Sequence, residues 1–317
     1  MRSVLIAGGA GFIGTHLTEY LLNKGFRVFS VDNFSTGKPE NIKRFFGDPN
    51  YTFEEMDIVK NVPKGKFDFI VDLASPASPQ KYLSLPIETM LVNSLGVLNL
   101  LNLAKENRSR FFLASTSEIY GDPEVHPQRE DYWGHVNPIG PRSVYDEGKR
   151  FAESITMAFY RYENLDVRIA RIFNTYGPYM DVGDGRIIPN FAYQALTGKP
   201  ITIYGDGSQT RSFCYVSDMV EGLFLLLTLE NLAGEVVNLG NPDERTVKEV
   251  ADLICEILNV PKNYKYLPLP QDDPKRRKPD ITKAKKLLNW NPKVEFELGL
   301  RKTLDWYKEV LNVGKGI

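Results

Sequence analysis

The stretch Val4-Leu5-Ile6-Ala7-Gly8-Gly9-Ala10-Gly11-Phe12-Ile13-Gly14 leaves this chain few ways to fold. An apolar run long enough for one buried strand ends in glycines spaced Gly8-x-x-Gly11-x-x-Gly14, with Phe12 and Ile13 inside the same turn. An amphipathic stretch follows, with Leu17, Tyr20 and Leu21 on one side, and stops at Gly25. The pattern predicts strand, tight turn and helix. Glycine suits such a turn because it takes unusual dihedrals and lets the backbone approach a phosphate with no Cβ between them. The unpaired N–H groups at the helix start, together with the helix dipole, then favour a pyrophosphate. A second strand, Phe26 to Val31, delivers Asp32 about 20 residues further on, where a carboxylate accepts hydrogen bonds from both ribose hydroxyls of a dinucleotide. Its charge would repel a 2′-phosphate, so the pattern points to NAD rather than NADP. Glycines at this spacing also occur in doubly wound domains that bind no nucleotide, and the spacing alone leaves that alternative open.

The 317 residues allow one large domain or two smaller ones. With 39 basic against 40 acidic residues the net charge is -1, which gives no argument for a nucleic-acid partner. The basic run Lys275-Arg276-Arg277-Lys278 is short and local. Cys214 and Cys255 share no metal spacing and suggest no disulfide framework, and His16, His126 and His135 form no zinc pattern. No metal is therefore expected, and a reducing compartment, the cytoplasm, is. With a strand already begun at residue 4, no signal peptide is expected. The apolar run Leu223 to Leu227 is too short to cross a bilayer, so no membrane association is expected.

Strand and helix patterns alternate regularly as far as Gly177. This predicts an α/β fold, a Rossmann-like doubly wound parallel sheet, with residues 1–177 as an NAD-binding domain. Beyond Pro178 the alternation loosens, and residues 178–317 read as a smaller, mainly substrate-binding lobe, with the chain free to cross back between the two. Asn33-Phe34-Ser35-Thr36-Gly37 lies at the carboxyl end of the second strand, where open α/β sheets bind ligands. An ordinary βα loop would serve equally there. Strand Tyr51 to Met56 ends at Asp57-Ile58, placed to flank an adenine ring. Strand Phe67 to Leu73 runs into Ala74-Ser75-Pro76 at the same edge. The segment Pro86 to Glu106 carries Ile87, Met90, Leu91, Leu95, Leu98 and Leu101 at helical spacing. Asn93 within it is either an amide that fixes a loop or an ordinary satisfied polar residue.

Strand Arg110 to Ala114 delivers Ser115-Thr116-Ser117-Glu118 to that edge, and strand Val167 to Phe173 delivers Asn174. Between them a helix carries Tyr145 and Lys149, four residues apart on one face. Gly148 inside that helix costs roughly 1 kcal/mol against alanine, which argues for close approach by something bulky. The later chain offers helices at Ile187–Leu196, Asp218–Leu229 and Thr246–Leu258, a strand at Ile201–Tyr204, and a turn leading to Arg211. A charge cluster at Asp272–Asp280 and helical stretches at Lys283–Leu288 and Leu298–Leu311 close it. Tyr145 is a candidate base, although a free phenol has a pKa near ~10. Bringing it to about 7 takes on the order of 4 kcal/mol of preference for the phenolate. Lys149 and a positively charged nicotinamide ring supply charge of the right sign. Thr116 could hold the same substrate oxygen. A buried tyrosine beside a surface lysine is the plainer alternative.

Gly8-x-x-Gly11-x-x-Gly14, Asp32, Thr116 and Tyr145-x-x-x-Lys149 resemble the extended short-chain dehydrogenases/reductases that act on nucleotide sugars. Four longer stretches resemble, within these, the UDP-glucuronate decarboxylases. They are Ala74-Ser75-Pro76-Ala77-Ser78-Pro79, the segment from Ser115 to Pro123, Tyr132-Trp133-Gly134-His135-Val136-Asn137-Pro138-Ile139-Gly140-Pro141-Arg142, and the segment from Gly205 to Arg211. The resemblance spans essentially the whole chain, and the Tyr132–Arg142 motif is its most specific part. It implies NAD as cofactor and a UDP-sugar as substrate. Oxidation at C4, loss of carbon dioxide from the 4-keto sugar acid and re-reduction would give UDP-xylose, with NAD regenerated. Thr116, Glu118, Tyr145, Lys149 and Arg211 would be catalytic. Gly8, Gly11, Phe12, Ile13, Gly14, Asp32 to Gly37, Asp57, Ile58, Leu73, Ala74, Ser75, Tyr145 and Lys149 would hold NAD. Ser117, Glu118, Tyr145, Asn174, Arg211 and Arg277 would contact the substrate, Arg277 at its phosphates. A homodimer paired through helices Pro86–Glu106 and Ser143–Glu163 is also implied. Animal members carry an N-terminal membrane anchor that is not expected here. Three rivals remain. A 4-epimerase shares Tyr145, Lys149 and Thr116 but does not need Glu118 with Arg211. A 4,6-dehydratase places an acid pair after its threonine, where this chain has Ser117-Glu118. A non-catalytic NAD-binding sensor usually lacks the Tyr-x-x-x-Lys pair.

Overall fold

A computed structural model of the protein describes residues 1–270, 274 and 276–312. The expected cluster Asp272–Asp280 and the basic run from Lys275 therefore fall partly outside the described residues. The first six strands, β1 (Ser3–Ala7), β2 (Arg27–Asp32), β3 (Tyr51–Glu55), β4 (Phe69–Asp72), β5 (Arg110–Thr116) and β6 (Val167–Ile172), form one parallel sheet. A seventh, Glu235–Leu239, joins it at the β6 edge, pairing in parallel from Glu235↔Arg168 to Leu239↔Ile172. Across the sheet the order is Glu235–Leu239, β6, β5, β4, β1, β2, β3. The chain winds outward from β1 through β2 to β3, then restarts beside β1 with β4 and runs the other way. This reversal opens a crevice at the carboxyl ends of β1 and β4, where ligands of such sheets bind.

Residues 4–7 of β1 are fully buried, as expected for a central parallel strand covered on both faces. Val4 and Ile6 pack with Leu17 and Leu21 of the following helix, α1 (Phe12–Asn23), and with Met219 and Leu223 of helix Val216–Thr228. Leu5 and Ala7 point to the other face, against Val97, Leu100 and Leu101. The strand at Glu235–Leu239 is not apparent in the sequence, because EVVNL is short and Asn238 interrupts its apolar run. Helix Pro86–Asn107 is 22 residues long and apolar enough to span a bilayer by length and composition alone. Its inner face packs on helix Ser143–Glu163.

A π turn, Val92–Gly96, interrupts that long helix. Within it the Asn93 amide donates to Ser75 Oγ at 2.9 Å and to the Thr89 carbonyl at 2.8 Å, so Asn93 fixes the loop after β4. Gly148 crosses at this point, and a Cβ there would come within 3.3 Å of Asn93 Cβ. The bulky neighbour anticipated from Gly148 is thus the other helix. The later chain contributes a small three-stranded sheet, Glu244–Thr246, Thr210–Ser212 and Arg276–Arg277, which sets Arg277 in register with Arg211. Helix Val247–Leu258 starts one residue later than the sequence predicts because Thr246 is its cap, reciprocated by Glu249.

Candidate active site

The turn after β1 is shaped by two glycines above all. Gly8 has φ +83°, and a Cβ on it would lie 2.7 Å from the Leu73 carbonyl carbon; one on Gly14 would lie 2.1 Å from the Gly8 carbonyl oxygen. Gly11 caps α1 without a side-chain hydrogen bond to the helix start among the described residues. The first N–H groups of α1 thus have no side-chain competitor for an anion. At the end of β2 the Asp32 carboxylate accepts from the Ala10 N–H at 3.0 Å and the Phe34 N–H at 2.8 Å. Burial pushes its pKa up, while these two bonds pull the other way. Phe34 and Gly37, expected with the cofactor residues, stand behind the wall of the site. Phe34 packs its ring on Phe53 at 5.3 Å. Gly37 passes so close that a Cβ would lie 2.7 Å from Asp32 Oδ2.

A cavity of about 680 Å³, the size of a small-molecule site, runs along the carboxyl ends of the strands. Gly8, Gly11, Phe12, Ile13, Gly14, Asp32, Asn33, Ser35, Thr36, Asp57, Ile58, Leu73, Ala74 and Ser75 line one part of it. Thr116, Ser117, Glu118, Tyr145, Lys149, Asn174, Arg211 and Arg277 line another. The first set fits a dinucleotide such as NAD: a cradle that a Cβ would close, an uncapped helix start and an acid at the second strand's end.

Beyond β5 the chain enters a single 3₁₀ turn, Ser117–Tyr120, capped by Thr116, whose hydroxyl accepts from the Glu118 N–H at 3.2 Å. The Thr116 hydroxyl also lies beside the Tyr145 phenol and favours its ionised form. Burial raises the Tyr145 phenol above its ordinary pKa, with Thr116 and Arg186 pulling it back only in part. Lys149, one helical turn on, donates from Nζ to the Ala114 carbonyl at 2.9 Å. Burial lowers its pKa, and the charges of Asp72 and Glu153 oppose that. One of the three ammonium N–H donors of Lys149 is thus used on β5, and burial is the largest influence on the phenol.

Glu118 is enclosed by guanidinium groups. Arg142 and Arg277 both pair with its carboxylate. Burial works to raise its pKa, but Arg277, Arg142 and Arg211 outweigh it and hold the group at about 2. Arg211 acts here by charge, while its Nη1 donates to the Thr210 carbonyl at 2.8 Å. Arg277, expected at the phosphates, lines the cavity beside Glu118. It is 2% exposed and donates from Nη2 to the Gly121 carbonyl at 2.7 Å. Asp146 lies with its carboxylate 3.8 Å from Arg142 Nε, and burial and the nearby Glu118 charge raise it to about 7. Two residues of this site escaped the sequence reading. Arg142 was legible only as the end of the Tyr132–Arg142 motif. Tyr82, stacked on Tyr145, lies on a six-residue helix, Pro79–Ser84, too short to show periodicity.

Residues 5–303 match the model of the GDP-mannose 4,6 dehydratase family. UDP-glucuronic acid decarboxylase 1 of Danio rerio is 51% identical over 310 residues, which cover 98% of this chain and 73% of that protein. This chain belongs to the UDP-glucuronic acid decarboxylase family. UDP-glucuronic acid decarboxylase 3 of Arabidopsis thaliana is 47% identical over 98% of this chain and 90% of its own length. Among solved structures, UDP-glucuronic acid 4-epimerase from Bacillus cereus, in complex with UDP-glucuronic acid and NAD, superimposes with a TM-score of 0.88 at 27% identity. That match covers 98% of this chain and 100% of the epimerase. The doubly wound scaffold is thus shared between the decarboxylase family and its epimerase relatives, and only the site can separate them.

Proposed function

We propose that the protein converts UDP-glucuronate to UDP-xylose and carbon dioxide, with NAD restored in each cycle. The observation that carries this reading is the meeting of Thr116 and Tyr145 with the Glu118–arginine cluster in one cavity beside the dinucleotide cradle. NAD, when bound, supplies the hydride acceptor and donor for C4 of the sugar. The turn from Gly8 to Gly14, Asp32 and Lys149 would hold it. Tyr145 takes the proton of the C4 hydroxyl while Thr116 fixes the same oxygen. With a ketone at C4, the carboxylate on C5 lies β to a carbonyl, and the electrons of the breaking bond spread onto the C4 oxygen. The Tyr145 and Thr116 hydroxyls face that developing charge and stabilise it. Solvent then supplies a proton to C5 in place of the lost carboxylate, and Tyr145 finally returns its own proton to the C4 oxygen.

Arg211 and Glu118 act at the carboxylate-bearing carbon. Arg211 offers a planar fork that a carboxylate matches. Replacing it with alanine should lower xylose formation about 100-fold, the scale of an ångström misplacement, with NAD binding kept. Arg211→Lys should recover little, since a point charge lacks the fork. The deciding test follows UDP-glucuronate by mass spectrometry and NADH by absorbance in one turnover. UDP-xylose without net NADH is the expected result. UDP-galacturonate with its carboxylate retained would replace this reading with epimerisation.

We also propose a homodimer. Ile87, at 64% exposure, Met90 and Leu95 stand out from helix Pro86–Asn107, and Phe151 from the helix packed beside it. Pairing with a second copy would cover this apolar face, and the mass in solution decides the point. A cytoplasmic setting is proposed on the two cysteines, which are free and buried.

A further inference from the structure

We infer that Tyr82 is a positioning residue for Tyr145. By stacking on it, Tyr82 fixes the plane in which the phenol hydroxyl meets Thr116 and the C4 oxygen. This rests on the reading of Tyr145 as the base. Tyr82 follows the Ala74–Pro79 motif and sits on helix Pro79–Ser84, whereas Tyr145 belongs to helix Ser143–Glu163. The two ring centroids lie 5.1 Å apart, with the planes within 2° of each other. The Arg142 guanidinium, which pairs with Glu118, lies 5.9 Å from the centre of the Tyr82 ring. Tyr82 thus neighbours both the base and an arginine of the ion cluster.

A helix backbone does not set the ring plane of a tyrosine. The torsion about Cβ–Cγ is broad, and a neighbour pressed on the face is what narrows it. Tyr145 needs that narrowing, because its hydroxyl has to meet an oxygen within hydrogen-bond reach for proton transfer. Tyr82 suits the task. It is 1% exposed and lines the same cavity. Its hydroxyl is buried with no hydrogen-bond partner among the described residues. The hydroxyl is therefore not the anchor, and the contact that matters is ring on ring.

Tyr82→Phe keeps the stack and removes an unpaired buried hydroxyl, which costs stability where it is. Its turnover should stay within about threefold of wild type, with Tm equal or higher. Tyr82→Leu keeps apolar bulk without a plane, and kcat should fall roughly 30-fold, short of the loss for a full ångström of misplacement. KM for UDP-glucuronate and the affinity for NAD should stay as in wild type. Tyr82→Met serves the same purpose if the leucine variant does not fold. In a Tyr145→Phe background Tyr82→Leu should cost nothing more, because the hydroxyl it positions is gone. Wild-type kcat in Tyr82→Leu, or an equal loss in both backgrounds, overturns the inference. So does a Tyr82→Phe variant that folds normally yet loses as much as Tyr82→Leu. Full activity in Tyr145→Phe itself refutes the base assignment and overturns the inference with it, whereas wild-type kcat in Tyr82→Leu beside an inactive Tyr145→Phe overturns the positioning role alone.

Discussion

Tyr145→Phe should still bind NAD while turnover falls by roughly 10³-fold, within the range that a positioned proton-transfer group supplies. The argument starts from what the substitution leaves alone. Phenylalanine keeps the ring, so the parallel stack with Tyr82 and the packing around it survive. The glycine turn, Asp32 and Lys149 are untouched, so the cofactor side of the cavity is unchanged. What disappears is the phenol hydroxyl beside Thr116. Thr116 alone cannot take its place, because an aliphatic alcohol is a far weaker acid than a phenol and supplies almost no alkoxide to take a proton. Lys149→Met should differ in kind. Lys149 is buried and ties helix Ser143–Glu163 to β5 through the Ala114 carbonyl, so its loss should lower both turnover and NAD affinity. Calorimetric titration with NAD beside steady-state rates separates the two variants. A Tyr145→Phe enzyme with most of its activity would show that another group takes the proton.

The cofactor side of this site was legible because each of its parts is local. Gly8 to Gly14 and Asp32 are read from neighbouring residues, and the strand-turn-helix rhythm around them is enough to place them. Tyr145 and Lys149 were legible for the same reason, being one helical turn apart. The ion cluster was not. Glu118 and Arg277 are 159 residues apart, and their pairing depends on the small sheet that sets Arg277 beside Arg211. No local pattern carries that register. The state of the phenol was also out of reach, since it follows from burial. Lys149 has the right spacing to serve Tyr145, but its bond to the Ala114 carbonyl carries no signal in the sequence. The seventh strand failed for a different reason. Asn238 reads as a break in a strand, but its amide is satisfied by the Gln128 and Asp280 carbonyls, which a sequence pattern does not show.

Glu118→Gln should cost the enzyme about 100-fold or more in turnover, because it removes the anion that holds two of the site's guanidinium groups in place. Arg142 and Arg277 share that carboxylate in the folded protein. Glutamine has the same shape but no charge, so the cluster loses its central anion. Breaking one side of a buried ion pair typically costs ~3–5 kcal/mol. Part of this should be recovered here, since Asp146 lies 3.8 Å from Arg142 and can take up more of its charge. The pH dependence follows from the direction of the shift. Burial opposes ionisation of Glu118, but the arginines lower its pKa from 4.5 to about 2 in the folded state. Its contribution to stability is therefore present above the unfolded value and is lost as pH falls through the folded one. The Tm deficit of Glu118→Gln should be full above about pH 5 and should shrink as the medium approaches pH 2. The rate behaves differently. A carboxylate with so low a pKa stays ionised throughout the working range, so it neither donates a proton nor sets the acid limb of the rate profile. Glu118→Gln should lower kcat at every pH and leave the shape of the profile as it was. Glu118→Asp keeps the anion one methylene short and should restore more of the stability than of the rate. An acid limb that moves or vanishes in Glu118→Gln would show that Glu118 titrates during turnover, and its role would then be proton transfer rather than the ordering of the arginines.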